Sequence, residues 1–196
     1  MGAHQKGARR SGATLALLDE TGHSFRARVG TTWAPVAHAP VLKRVERRYR
    51  SEVTSQVALT APLRRKERAR LVARHIQGKV NGAEAVRFLK YLRRRLGTPL
   101  WLVWDRLAAH RSREVQAFLA TCPGDFHLEL LPPYAPDLNP EEQCNAVVKK
   151  ALLNATPDSV EAMRRLARRE FRRLQHRSAT LRAFFKHAGL SLHWTT

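Results

Sequence analysis

The 196 residues carry 36 Lys and Arg against 16 acidic residues, a formal net charge of +20, and 43% are hydrophobic. A chain of this size and apolar content buries a core of its own, which argues against general disorder and makes one domain the default. No run approaches the ~20 apolar residues of a spanning helix, the start Met1-Gly2-Ala3-His4-Gln5-Lys6 has no apolar signal core, and the charge points to a polyanion: nucleic acid rather than membrane, met in the cytoplasm.

Residues 1–12, rich in Gly, Ala, Lys and Arg, read as a flexible basic lead-in, with order expected from Thr14. The run Thr14-Leu15-Ala16-Leu17-Leu18-Asp19 is a strand buried on both faces, with an acid at its tip. Thr21-Gly22 is a turn signal, and Arg28 to Pro35 reads as a second strand interrupted at Gly30. Ser51 to Thr60 alternates with period two and makes a third strand. From Gly82 the period becomes helical, with Val86, Leu89 and Leu96 on one side and Arg87, Lys90, Arg93, Arg94 and Arg95 beside them, until Gly97 ends the helix. A strand from Pro99 to Trp104 leads into Asp105. Ser112 caps a helix through Leu119, and His127 to Leu131 is a short strand stopped by Pro132-Pro133. Helices follow from Pro140 to about Leu153, Pro157 to about His176 and Ser178 to about His187. The order is α/β, so one domain is drawn over 13–190, with 191–196 as a tail.

Asp19 and Asp105 both end apolar strands. If those strands are neighbours their carboxylates meet, and close carboxylates repel unless a cation lies between them. Oxygen ligands suit magnesium or manganese. The competing explanation for either acid is the ordinary turn preference of Asp. A third acid comes from Asp137-Leu138-Asn139-Pro140-Glu141-Glu142, where Asn139, Pro140 and Glu142 resemble a capping box. Glu141 is the rival of Glu142, and local sequence does not choose between them. Glu20 points to the sheet face opposite Asp19. Cys122 and Cys144 have no partner at ligand spacing and read as buried free thiols. His110 reads as a hydrogen-bonded or solvated loop residue outside the catalytic set, and the four tryptophans as packing. Arg164-Arg165, Arg168-Arg169 and Arg172-Arg173 form a basic stripe, echoed by Arg64-Arg65-Lys66 and Arg93-Arg94-Arg95. A solvated face is the ordinary reading of such a stripe; with the overall charge, contact with DNA backbone is favoured.

The block Val103-Trp104-Asp105, Ala109-His110-Arg111-Ser112 and Leu131-Pro132-Pro133-Tyr134-Ala135-Pro136-Asp137-Leu138-Asn139-Pro140, with the acid two places on, resembles the catalytic domain of mariner-like bacterial insertion-sequence transposases. Leu18 to Gly22 and Arg28 to Pro35 are similar to that family's start, and the likeness runs over about residues 14–190. It implies a ribonuclease-H-like (retroviral integrase-like) mixed five-stranded sheet, first three strands antiparallel, flanked by helices, with a helical C-terminal extension. It implies a catalytic and metal-binding triad of Asp19, Asp105 and Glu142, the last two separated by the 36 residues 106–141. Two Mg2+ or Mn2+ ions would serve DNA cleavage at transposon ends and strand transfer of the 3′-hydroxyl into target DNA. The implied setting is a homodimer on double-stranded DNA in the bacterial nucleoid. Two departures stand out: Arg106 where the family often has Asn, and Asn145 where it often has Trp. Family members usually carry helix-turn-helix modules first, yet only 18 residues precede Asp19. That implies a separate helix-turn-helix chain, or a remnant: a catalytically inactive or partner-dependent DNA-binding protein.

Overall fold

The computed structural model describes residues 2–25, 30–41, 53–64, 67–132 and 139–190. Strands β1 (Thr14–His23), β2 (Val53–Thr60), β3 (Leu71–Gln77), β4 (Leu100–Trp104) and β5 (Phe126–Leu130) form one sheet in the order β3-β2-β1-β4-β5. β1–β2 and β2–β3 pair antiparallel, and β1–β4 and β4–β5 pair parallel. The helices are α1 (Gly2–Ser11), α2 (Gly82–Leu96), α3 (Arg113–Ala120), α4 (Glu141–Ala151), α5 (Val160–Gln175) and α6 (Ser178–His187).

The first half of β1, Leu15 to Leu18, is apolar because both its faces are covered. Leu15 and Leu17 join Val148, Phe171 and Phe185 from α4, α5 and α6, while Ala16 and Leu18 join Phe88, Leu89 and Trp104 on the α2–α3 side. Phe88 is wholly buried, and truncating such a residue to Ala costs about 3–5 kcal/mol. Local signals fix the helix ends. Asn81 Oδ1 accepts from Glu84 N at 2.9 Å, Gly97 closes α2 at φ 80°, and Ser112 and Ser159 cap α3 and α5 with their hydroxyls.

Four expectations are corrected. The third meander strand is Leu71–Gln77, not Arg28 to Pro35: residues 30–35 form no strand, and 26–29 lie outside the described residues. The backbone of Gly30 is satisfied instead by a side chain, with Asn154 accepting from its N–H and donating to its carbonyl, both at 3.0 Å. The Thr21-Gly22 turn signal lies inside β1, where pairing to Ser55 and Thr54 overrides it. The expected flexible lead-in is a helix: Ala8 is buried in the core, and a Cβ at Gly7 would strike the Trp101 ring. Gly7 serves close packing there. Trp33, expected to pack, is fully exposed, whereas Trp104 is buried, and Trp194 lies outside the described residues.

Candidate active site

The parallel register Leu15↔Trp101 and Leu17↔Val103 sets β1 beside β4, so Asp19 and Asp105 follow at the same end of the sheet. Asp19 lies within β1 opposite Val57, and Asp105 is the first residue beyond β4. The start of α4 is tied to that end by Asn139, whose Nδ2 donates to Leu18 O at 3.1 Å while its Oδ1 accepts from Glu141 N at 3.2 Å. Asn139 thus caps α4 and docks it on β1 with one side chain, so its side-chain acceptor serves Glu141 rather than the N–H a capping box would use.

Docking this way buries Glu141 completely against Asp19 and leaves Glu142 half-buried. Asn145, one helical turn on, donates to Asp19 Oδ2 at 3.0 Å and to Glu141 Oε2 at 2.8 Å. Glu142 shares the lining of an open cavity of about 600 Å³ with Asp19, Glu20, Asn145, Lys149 and Lys150. Asp105 turns to the other face of the sheet. There His110 donates to Asp105 Oδ1 at 2.6 Å and to Glu20 Oε1 at 3.1 Å, and its ring stacks on Trp104 with centroids 3.7 Å apart. Asp105 also accepts from Leu107 N at 3.0 Å.

The two groups solve one electrostatic problem differently. Burial raises the Asp19 carboxyl, and the negative charges of Glu20 and Asp105 add to that, against a hydrogen bond from Glu141. Burial and the charge of Asp19 push Glu141 well above the carboxylate range, so Glu141 holds the proton that Asp19 accepts. On the other face burial alone would lower His110, but its bonds to Asp105 and Glu20 outweigh this and hold it up at about 9. The His110 bond in turn overcomes the burial of Asp105 and keeps that carboxyl below its usual value. His110 is therefore the internal cation of the acid cluster.

The donor set fits a hard divalent cation. Asp19, Glu20, Asp105 and Glu142 all offer carboxylate oxygens, and Glu141 Oε1 and Asn145 Oδ1 are buried without a hydrogen-bond partner among the described residues. One oxygen each from Glu20 and Asp105 and one His110 nitrogen lie within 4.8 Å of one another. Of the expected triad, Asp19 and Glu142 share a cavity, while Asp105 is close enough to raise Asp19 but aims its carboxylate at His110. Sequence reasoning left Glu141 open as the rival of Glu142, set Glu20 on the opposite face and His110 outside the catalytic set, and missed Asn145 as the link between Asp19 and Glu141. The one available signal was His110 five residues after the strand-tip acid.

The basic residues are spread more widely. Arg64, Arg94, Arg95, Arg165, Arg168 and Arg172 are exposed. Arg93 pairs with Asp125 at 2.6 Å, Arg164 with Glu161 at 3.1 Å, and Arg169 and Arg173 with Glu170 at 2.8 and 3.0 Å. Arg65 and Lys66 lie outside the described residues. Cys122 and Cys144 are buried free thiols, and burial pushes the Cys144 thiol well up. Among the described residues no helix is long and apolar enough to cross a membrane.

A mixed sheet in this strand order, helices on both faces and acids gathered at the end shared by β1 and β4, has the ribonuclease-H-like architecture of transposase and integrase catalytic domains. More narrowly, residues 14–164 match the DDE superfamily endonuclease family, and the chain belongs to it. Among solved structures, a Mos1 strand transfer complex is similar at 17% identity and a TM-score of 0.60, over 96% of this chain and 56% of that one. The mariner Mos1 paired-end complex with Mg aligns at 16% identity and 0.60, over 96% and 58%. The Mos1 transposase catalytic domain aligns at 14% and 0.54, over 97% and 90%. These likenesses are of fold, and the chain spans a little over half the length of the Mos1 chains in the two complexes. No curated protein matches the sequence.

Proposed function

We propose that this domain is the catalytic part of a transposase, cutting DNA at the ends of a mobile element and joining the freed 3′-hydroxyl to target DNA. The observation that supports the reading is the cavity shared by Asp19 and Glu142 at one end of the sheet, with Asp105 close enough to raise Asp19 and the buried Glu141 Oε1 and Asn145 Oδ1 beside it. In this reading the three residues are the catalytic acids and hold two Mg2+ or Mn2+ ions. Bound there, such ions supply Lewis acidity to the attacking and leaving oxygens of a phosphodiester. The protein's part is positioning: Asn139 aims the first turn of α4, Asn145 orients Asp19, and His110 holds Glu20 and Asp105 apart at the end of β4. Lys149 and Lys150 on the cavity wall supply positive charge for a phosphate backbone, with the exposed arginines of α2 and α5 as further DNA contacts. The working form is a homodimer on double-stranded DNA, with end recognition supplied by a helix-turn-helix chain.

One observation favours the second reading, an inactive or partner-dependent DNA-binding protein: Asp105 is already satisfied by His110 and Leu107 N, away from Glu142. Nicking of supercoiled DNA separates the two. The enzyme nicks with Mn2+ or Mg2+, and Asp105→Ala lowers the rate by about 10³-fold or more, several kcal/mol of transition-state stabilisation, with binding retained. Binding without nicking by the wild type, even with terminal-repeat DNA and a helix-turn-helix partner supplied, rejects the enzyme.

A further inference from the structure

At the far end of β1 lies a cleft of opposite charge. The second turn of α1, the start of β1, the end of β2 and the loop leading to β3 enclose a cavity of about 560 Å³ walled by Arg9, Arg64, Arg68 and Arg70. Among the described lining residues Glu67 is the one acid: its Oε2 accepts from Leu63 N at 2.7 Å and Arg64 N at 3.1 Å, and its Oε1 lies 3.8 Å from Arg64 Nε, an exposed pair that leaves the wall with a large excess of positive charge. Arg70 is held in place by its Nη2 donating to Arg95 O at 2.8 Å, which joins the cleft to the basic end of α2. Arg64 and Arg68 are exposed, and Arg9 is half-buried.

Two features set this cleft apart from an ordinary solvated basic face. Arg9 comes from α1 and the other three from the segment between β2 and β3, and all converge on a concavity where four cations meet one acid, so an entering anion relieves the excess positive charge. All four are arginines, whose planar forks match phosphate oxygens in pairs, and none is lysine. The floor of Ala8, Ala13, Ala61 and Leu63 is buried and apolar, so the recognition chemistry sits in the arginine wall.

We propose that the cleft walled by Arg9, Arg64, Arg68 and Arg70 is a second nucleic-acid site, gripping the phosphodiester backbone of duplex DNA away from the acidic end of β1. The assignment rests on the reading that the chain acts on DNA. Thr14 at the cleft and Asp19 at the acids are five residues apart on one strand, roughly 17 Å at about 3.4 Å per residue. That is about half of a ~34 Å turn of B-DNA, so one duplex spans both.

The test is fluorescence anisotropy of a labelled duplex of roughly 20 base pairs, without metal, over a salt series; the double variant Arg64→Ala/Arg68→Ala weakens binding about tenfold and flattens the log K against log salt slope by about 2. Lys79→Ala/Arg113→Ala removes the same charge from exposed positions elsewhere and stays within about twofold of wild type, since neither residue lines the cleft or the cavity beside Asp19. Equal losses in the two double variants overturn the proposal, because net charge alone then explains them. Unchanged duplex binding by the cleft variant also overturns it, and if that variant loses a polyglutamate peptide instead, the cleft takes an acidic protein segment. The catalytic reading fails separately: a wild type that binds duplex through the cleft yet never nicks with Mn2+ rejects the enzyme and keeps the cleft, while nicking that depends on Asp105 alongside unaffected binding in the cleft variant does the reverse.

Discussion

Asp19 and Glu20 are neighbours in one strand, yet the sheet sends them to opposite faces and each face deals with a buried carboxylate in its own way. On the α4 side Asp19 meets a second acid, and Glu141 stays protonated so that the pair carries one charge. On the α3 side Glu20 meets Asp105 with His110 between them, and the imidazole takes up a proton. Burial is common to both sides; the nearest partner decides who is charged. His23 and His75, a few residues away, make the same point. They share the Ser55 hydroxyl at 2.8 Å each, face Phe171, have no carboxylate partner among the described residues, and are lowered to about 4. Burial is the first cause for both, and the other charged groups near them, Lys149, Arg164 and Arg168, are positive.

The largest expected stability effect comes from removing the cation on the α3 side. His110→Ala leaves Glu20 and Asp105 facing each other and lowers stability by about 3 kcal/mol, less than for a fully buried pair because Asp105 is partly solvated. Chemical denaturation measures it. Mn2+ should raise the melting temperature of the variant more than that of the wild type, since a divalent ion replaces the lost charge, and equal shifts would break the comparison. The pH dependence sharpens it. With a folded value near 9 against an ordinary 6.5, His110 contributes stability that is fully present below 6.5 and lost as pH rises through about 9, and the variant lacks that alkaline limb.

A smaller loss is expected in acid. Unfolded, His23 and His75 take protons near 6.5; folded, near 4. The unfolded chain therefore binds more protons between these values, and stability falls as pH drops from 6.5 to 4, by about 2 kcal/mol for the pair after allowance for partial solvation. Replacing both by Gln should flatten that window in urea melts. The smallest effect is Glu141→Gln, which keeps a donor for Asp19 and removes the group that must stay protonated. Stability above pH 5 should rise by about 1 kcal/mol; a decrease would mean that Glu141 carries a charge in the native state.

How far the sequence reaches can be judged residue by residue. The run to Asp19, the run to Asp105, and the caps Ser112 and Gly97 were legible because periodicity and capping act over a few residues. β3 was not: Leu71 to Gln77 sits among Arg68, Arg70 and Arg74, and its strand character comes from pairing with β2. α1 was hidden by a basic composition whose glycine turns out to face Trp101. Glu141 against Glu142 stayed open because both lie in the first turn of α4, and the difference between them is set by the Asn139 tether to Leu18, 121 positions away in sequence.

From its sequence alone this chain declared its basic charge, most of its strands and helices and the acids at its strand tips, since periodicity and capping act over a few residues, and its motifs carried the resemblance to transposase catalytic domains. Tertiary structure alone decided that Asp105 turns to His110, that Glu141 is sealed against Asp19 and that Arg9 of α1 joins Arg64, Arg68 and Arg70 in one cleft. Those outcomes depend on strand register and helix docking, which bring together groups that no local pattern relates.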